Sequence, residues 1–181
     1  MTGHRDEPAQ FWSRWSTLSA SLLMAALSGI SYAFGLYSDA LQDRLGFSQR
    51  TVDLIASFGQ LGLWSTFPVG LLMELLSIRL IFVLASLCSG LGVLYIALAL
   101  NKDVQSNAVS IAFMFYIANF GFAAFGNIGQ STCVRNFPAS DRGKICGLFK
   151  SVLGLSAAVY ALLFKGLFGA NHVIAFLLMI G

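Results

Sequence analysis

The side chains able to do chemistry in this sequence are mostly neutral. Tyr32, Gln60, Asn119, Asn127, Gln130 and Tyr160 each interrupt a long apolar run. Ser57 stands three residues before Gln60, on the same face if that run is helical. Hydroxyls and amides of this kind form hydrogen bonds, either with a polar solute or with a neighbouring helix. On the residues alone both uses stay open. No Asp or Glu lies deep in any run. Glu74 and Lys150 fall near run ends, where a long side chain can reach back to the interface.

The groups that catalysis would need are absent or scattered. His4 and His172 are far apart. Cys88, Cys133 and Cys146 show no metal-ligand spacing, and an odd, scattered set predicts no disulfide framework. There is no H-E-x-x-H, G-x-S-x-G, phosphate-binding loop or dinucleotide fingerprint. The glycines of GFAAFG follow no strand and carry no phosphate-loop meaning. The chain is expected not to be an enzyme, and no metal or cofactor is expected.

The elements that must hold these polar groups are membrane helices. Of the 181 residues, 57% are hydrophobic and 10% charged, against about 25% charged in an ordinary soluble domain. The mean hydropathy is +0.76. So few charges cannot cover so much apolar surface in water, whereas lipid tolerates it. A crossing helix needs about 20 apolar residues. The sequence predicts such helices over about 15–37, 51–73, 78–100, 108–130 and 145–164, with a sixth over 172–181 too short to cross. The fold class is therefore all-α, a polytopic membrane bundle of five full transmembrane helices plus a truncated sixth. That ending predicts a fragment or a shortened product whose remaining half is its missing partner.

Short polar breaks join the runs, so successive helices should be antiparallel neighbours. Residues 1–14 read as a polar tail. Phe11, Trp12 and Trp15 mark the first membrane entry, where aromatic rings favour the interface. With the N-terminus placed in the cytoplasm, seven basic residues fall inside: Arg5, Arg14, Arg79, Arg135, Arg142, Lys144 and Lys150. Four fall outside: Arg44, Arg50, Lys102 and Lys165. That bias predicts a cytoplasmic N-terminus. The net charge of +3 is too weak and too dispersed for nucleic acid. The expected partners are the lipid bilayer and a small-molecule solute. The plasma membrane and a vacuole-type membrane both remain open.

Two blocks resemble a known family. They are SGISYAFGLYSDALQDRLGFSQ, from Ser28 to Gln49, and STCVRNFPASDRGKICGLFKSVLGLSAAVYALLF, from Ser131 to Phe164. Both resemble the nodulin-like family of the major facilitator superfamily, through Gly29, Tyr32, Phe34, Gly35, Tyr37 and Ser38 in the first. The second does so through Cys133 to Pro138, Arg142, Gly143 and Gly147. The blocks cover about a third of the chain. The resemblance implies the N-terminal half of a transporter that moves a small solute by alternating access. It points loosely to organic anions or similar metabolites. A competing expectation is a non-transporting membrane protein, receptor-like or regulatory, that keeps the fold.

The resemblance also assigns roles. Tyr32 and Asn119 are the leading solute contacts, with Gln60, Asn127 and Tyr160 as further cavity candidates. An acid is usual in the family where this chain has Gln60, which implies that a charge-dependent step is altered. With no deep carboxylate here, a proton-carrying residue would lie in the missing half, and uniport is equally allowed. Gly70, Glu74 and Arg79 stand at the offsets of the superfamily's loop between helices two and three, with Arg135 and Arg142 as further gating candidates. Glu for Asp, Leu75 for Arg and Ser77 for Gly depart from that pattern. Arg135 is expected to pair with Glu74. Finally, Gly143, Gly147, Ser151 and Gly154 form a small-residue stripe on one helix face, expected to pack closely against, or slide along, another helix.

Overall fold

The computed structural model describes residues 8–168 and 173–180, with side chains for 13–168 and 173–179. His4, His172 and the side chains of Phe11 and Trp12 lie outside the described residues. All regular structure among the described residues is helical. The α-helices are α1 (Pro8–Ser28), α2 (Ser38–Leu45), α3 (Gln49–Trp64), α4 (Phe67–Leu75), α5 (Ile78–Leu100), α6 (Ala108–Asn136), α7 (Arg142–Leu163) and α8 (Val173–Ile180).

Four segments are long and apolar enough to cross a membrane: Gln49–Leu75, Ile78–Leu100, Ala108–Asn136 and Arg142–Phe168. Large apolar side chains such as Leu71, Leu91, Leu155 and Leu162 face outward. An outward apolar surface on such helices marks an integral membrane protein.

The first expected helix, 15–37, is not continuous. Helical structure starts earlier, at Pro8, inside the expected tail, and α1 stops at Ser28. Two 3₁₀ turns follow, Gly29–Tyr32 and Phe34–Leu36. α1 also carries Arg14, five serines and a threonine, so it lacks the apolarity of the other four spans. Serine hydroxyls compete for its last carbonyls: Ser28 Oγ donates to Met24 O at 2.9 Å and Ser31 Oγ to Ser28 O at 2.8 Å. The turns seat Phe34 and Tyr37 on α6. The Phe34 and Phe115 rings lie 4.9 Å apart, and Tyr37 meets Phe115 edge-on at 6.2 Å.

The second expected helix, 51–73, is split into α3 and α4. Pro68 stands in the first turn of α4 and has no N–H to give to the carbonyl of Trp64. The chain turns over Ser65–Thr66, and Ser65 Oγ and Tyr116 Oη share a hydrogen bond of 2.7 Å. Ser48 caps α3 by accepting from Thr51 N. The expected 78–100 is helical throughout as α5. α6 begins at a capping box between Asn107 and Ser110 and runs six residues past the expected end at 130. α7 starts at Arg142 and continues through a π-helical turn, Phe164–Phe168, whose rings pack on Phe176 of α8.

α6 is the central post. α1, α3 and α5 all lie along it, and α7 packs on α1. Close approach comes from glycines. A Cβ on Gly121 would sit 2.6 Å from both Ala85 O and Ser89 N, and one on Gly92 would sit 2.7 Å from Met114 O. Only a residue without a side chain lets α5 and α6 backbones meet this closely.

Candidate functional site

A cavity of about 350 Å³ opens where α3, α6, α7 and the turn after α1 converge. Its volume falls in the range of about 300–1,000 Å³ usual for small-ligand sites. Each element offers residues from one face. Gln60, Leu63 and Trp64 come from α3, at spacings of three and four. Ala123, Asn127 and Gln130 come from α6 at four and three, and Phe149, Lys150 and Leu153 from α7. The broken end of α1 adds Ser28, Ser31 and Tyr32.

Tyr32, Gln60 and Asn127 thus share one cavity wall system, joined by Gln130. Tyr32 is 56% exposed. The side chains of Tyr32, Gln60 and Asn127 make no hydrogen bond to protein among the described residues. Gln130 makes one weak bond, Nε2 to Cys146 Sγ at 3.8 Å. Ser57 stays off the cavity and returns its hydroxyl to Asp53 O.

Two expected contacts lie elsewhere. Asn119 is 1% exposed, and its Nδ2 donates to Phe115 O one turn back at 2.9 Å. It borders a separate void of about 10 Å³, too small for a solute. Tyr160 is half-buried against the apolar core and does not line the cavity. The resemblance puts helix four on the cavity as a whole, while packing decides which of its polar residues line this opening: Asn127 and Gln130 do, and Asn119 does not.

Lys150 is the residue that depth concealed. It was expected to snorkel at a helix end, but α7 begins at Arg142. Eight residues at about 1.5 Å each place Lys150 roughly 12 Å along the helix. It lines the cavity with no ion pair among the described residues. The available signal is its place inside the fifth apolar run, five residues after Ile145.

The gating candidates do not form a network. Gly70, Glu74, Arg79, Arg135 and Arg142 are all exposed. The expected Glu74–Arg135 pair is not made; beside Arg142, Lys144 pairs with Asp141 at 3.2 Å. Arg142 Nε instead donates to Phe137 O at 3.3 Å and ties off the loop after α6. The small-residue stripe is also displaced from its expected role. A Cβ on Gly143, Gly147 or Gly154 would meet nothing within 4 Å, and Ser151 is exposed. Among the described residues no helix packs against Gly143, Gly147 or Gly154.

The described residues hold no group of three or more metal-ligating side chains. Comparison with known proteins matches residues 14–181 to the family model described as Nodulin-like. The chain is 25% identical over 159 residues to Protein NUCLEAR FUSION DEFECTIVE 4 of Arabidopsis thaliana. That match covers 86% of the chain and 27% of the relative, so the chain spans about a quarter of that relative's length. No solved structure matches it. The chain belongs to the Nodulin-like family.

Proposed function

We propose that the chain supplies the first helices of a major facilitator transporter, moving a small anionic solute by alternating access. The cavity of Tyr32, Gln60, Asn127, Gln130 and Lys150 is its share of the solute site. One observation carries this reading. Polar groups in an apolar setting normally hydrogen-bond between helices, yet the side chains of Tyr32, Gln60 and Asn127 make no hydrogen bond among the described residues. Their donors and acceptors are left for an occupant of the cavity. Lys150, on the same wall and with no ion pair among the described residues, supplies positive charge and favours a carboxylate or phosphate.

The relative's greater length supports a longer transporter in which this bundle faces a second one, with the site between them. The basic residues favour a cytoplasmic N-terminus in a plasma or vacuole-type membrane. The test is uptake and counterflow by the full-length gene product in proteoliposomes, using labelled carboxylates, phosphate and neutral isosteres. Saturable counterflow of an anion supports the reading. Absence of flux for every solute, with the protein folded, overturns it in favour of a receptor-like or regulatory role.

A further inference from the structure

A second opening lies on the opposite side of α6 and has different chemistry. α1 and α5 both lie along α6. Between them runs an open groove of about 560 Å³, lined mainly by apolar atoms. Thr17 and Met24 belong to the α1 wall, Arg79 and Phe82 to the α5 wall, and Ile128 and Thr132 to the α6 floor. Arg79 has no ion pair among the described residues. Thr132 Oγ1 is buried in the floor and has no hydrogen-bond partner among the described residues.

These features select one occupant. The groove opens outward between two helices, where lipid is the surrounding medium, so an acyl chain is its natural filling. Arg79 is exposed and second in α5, at the end of a spanning segment, where a guanidinium reaches the level of the lipid head groups. Basic pockets between transmembrane helices bind phospholipid head groups. A neutral protein helix would cover Met24, Phe82 and Ile128 but would leave Arg79 uncompensated. We infer that the groove between α1 and α5 holds one anionic phospholipid. Its phosphate sits on Arg79, an acyl chain lies along Met24, Phe82 and Ile128, and an ester or phosphate oxygen accepts from Thr132.

Native mass spectrometry of the full chain in a neutral detergent tests this. The chain is offered phosphatidylglycerol and phosphatidylcholine with identical acyl chains. Wild type should retain phosphatidylglycerol about fivefold better, the factor expected for one basic contact. Arg79→Gln should erase the preference while leaving folded yield unchanged, and Arg79→Lys should keep most of it. Arg135→Gln removes the same charge elsewhere and should keep the preference. Ala20→Phe, which fills the groove, should lower retention of both lipids. An excess of inorganic phosphate should not displace the lipid. Equal retention of the two lipids by wild type overturns the inference. So does an equal loss in Arg135→Gln, displacement by inorganic phosphate, or a dimer of the chain that Ala20→Phe disrupts.

Discussion

Gly29 lies so close to Ser156 that a methyl group on its α-carbon would overlap the Ser156 hydroxyl. That hydroxyl is itself fixed, donating to Leu153 O at 2.7 Å, and the same carbonyl would stand 2.9 Å from the added carbon. The break after α1 is therefore pinned against α7. This contact holds Ser31 and Tyr32 at the cavity beside Lys150.

Gly29→Ala should lower stability by about 1–3 kcal/mol, the usual cost of overpacking. Thermal unfolding of the detergent-solubilised chain measures it. Ser156→Gly in the same chain should recover part of the loss, because the hydroxyl leaves while the Leu153 carbonyl remains. Additive losses in the double variant would mean that the two residues do not bear on each other.

Two substitutions separate the cavity from the core. Lys150→Gln should weaken binding of an anionic solute about tenfold or more, since a charge-assisted hydrogen bond is lost, and leave folded yield near wild type. Asn119→Leu should do the reverse. It removes the side chain that bonds to Phe115 O and perturbs a fully buried site, so yield falls while solute affinity in the folded fraction holds. Binding isotherms on the monodisperse fraction, beside its yield, check both. A drop in affinity for Asn119→Leu equal to that of Lys150→Gln would return Asn119 to the site.

Much of the fold was legible, because apolar runs of membrane length are a strong signal. α5 has no break and its bounds follow directly from hydropathy. The breaks were harder. Pro68 was visible inside the second run and marks the α3–α4 turn, whereas Gly29 resembles any helical glycine until Ser156 is set against it. The site was half legible for a related reason. Tyr32, Gln60 and Asn127 are conspicuous as polar residues in apolar runs. Which of such residues share a cavity depends on the rotation of each helix about α6. For α3 that rotation is set by Gly62 against Tyr116 O and Phe120 N of α6, a contact between distant residues that no local pattern displays.

Glu74 and Arg135 should behave as independent residues in this conformation. Both are exposed and no ion pair joins them. Glu74→Arg and Arg135→Glu should each leave folded yield close to wild type. The double charge swap should equal the sum of the singles within roughly 0.5 kcal/mol, as for distant sites. Rescue of the singles by the swap, read by thermal unfolding, would show that the pair forms in a conformation other than this one.

Gly147 and Gly121 should respond oppositely to the same change. A Cβ at Gly121 would meet Ala85 O and Ser89 N of α5 at 2.6 Å, and neither backbone atom can move aside cheaply. Gly121→Leu should therefore abolish most folded protein, as overpacking at a backbone contact separates α5 from α6. Gly147 has nothing within 4 Å of a Cβ, so Gly147→Leu should leave the yield of this chain unchanged. If the chain supplies one bundle of a longer transporter, as proposed above, the exposed stripe of Gly143, Gly147, Ser151 and Gly154 is free to meet a helix of the second bundle. There Gly147→Leu should slow counterflow far more than it lowers yield, because a leucine obstructs close helix approach. Unchanged flux in Gly147→Leu would show that no helix approaches this face during transport.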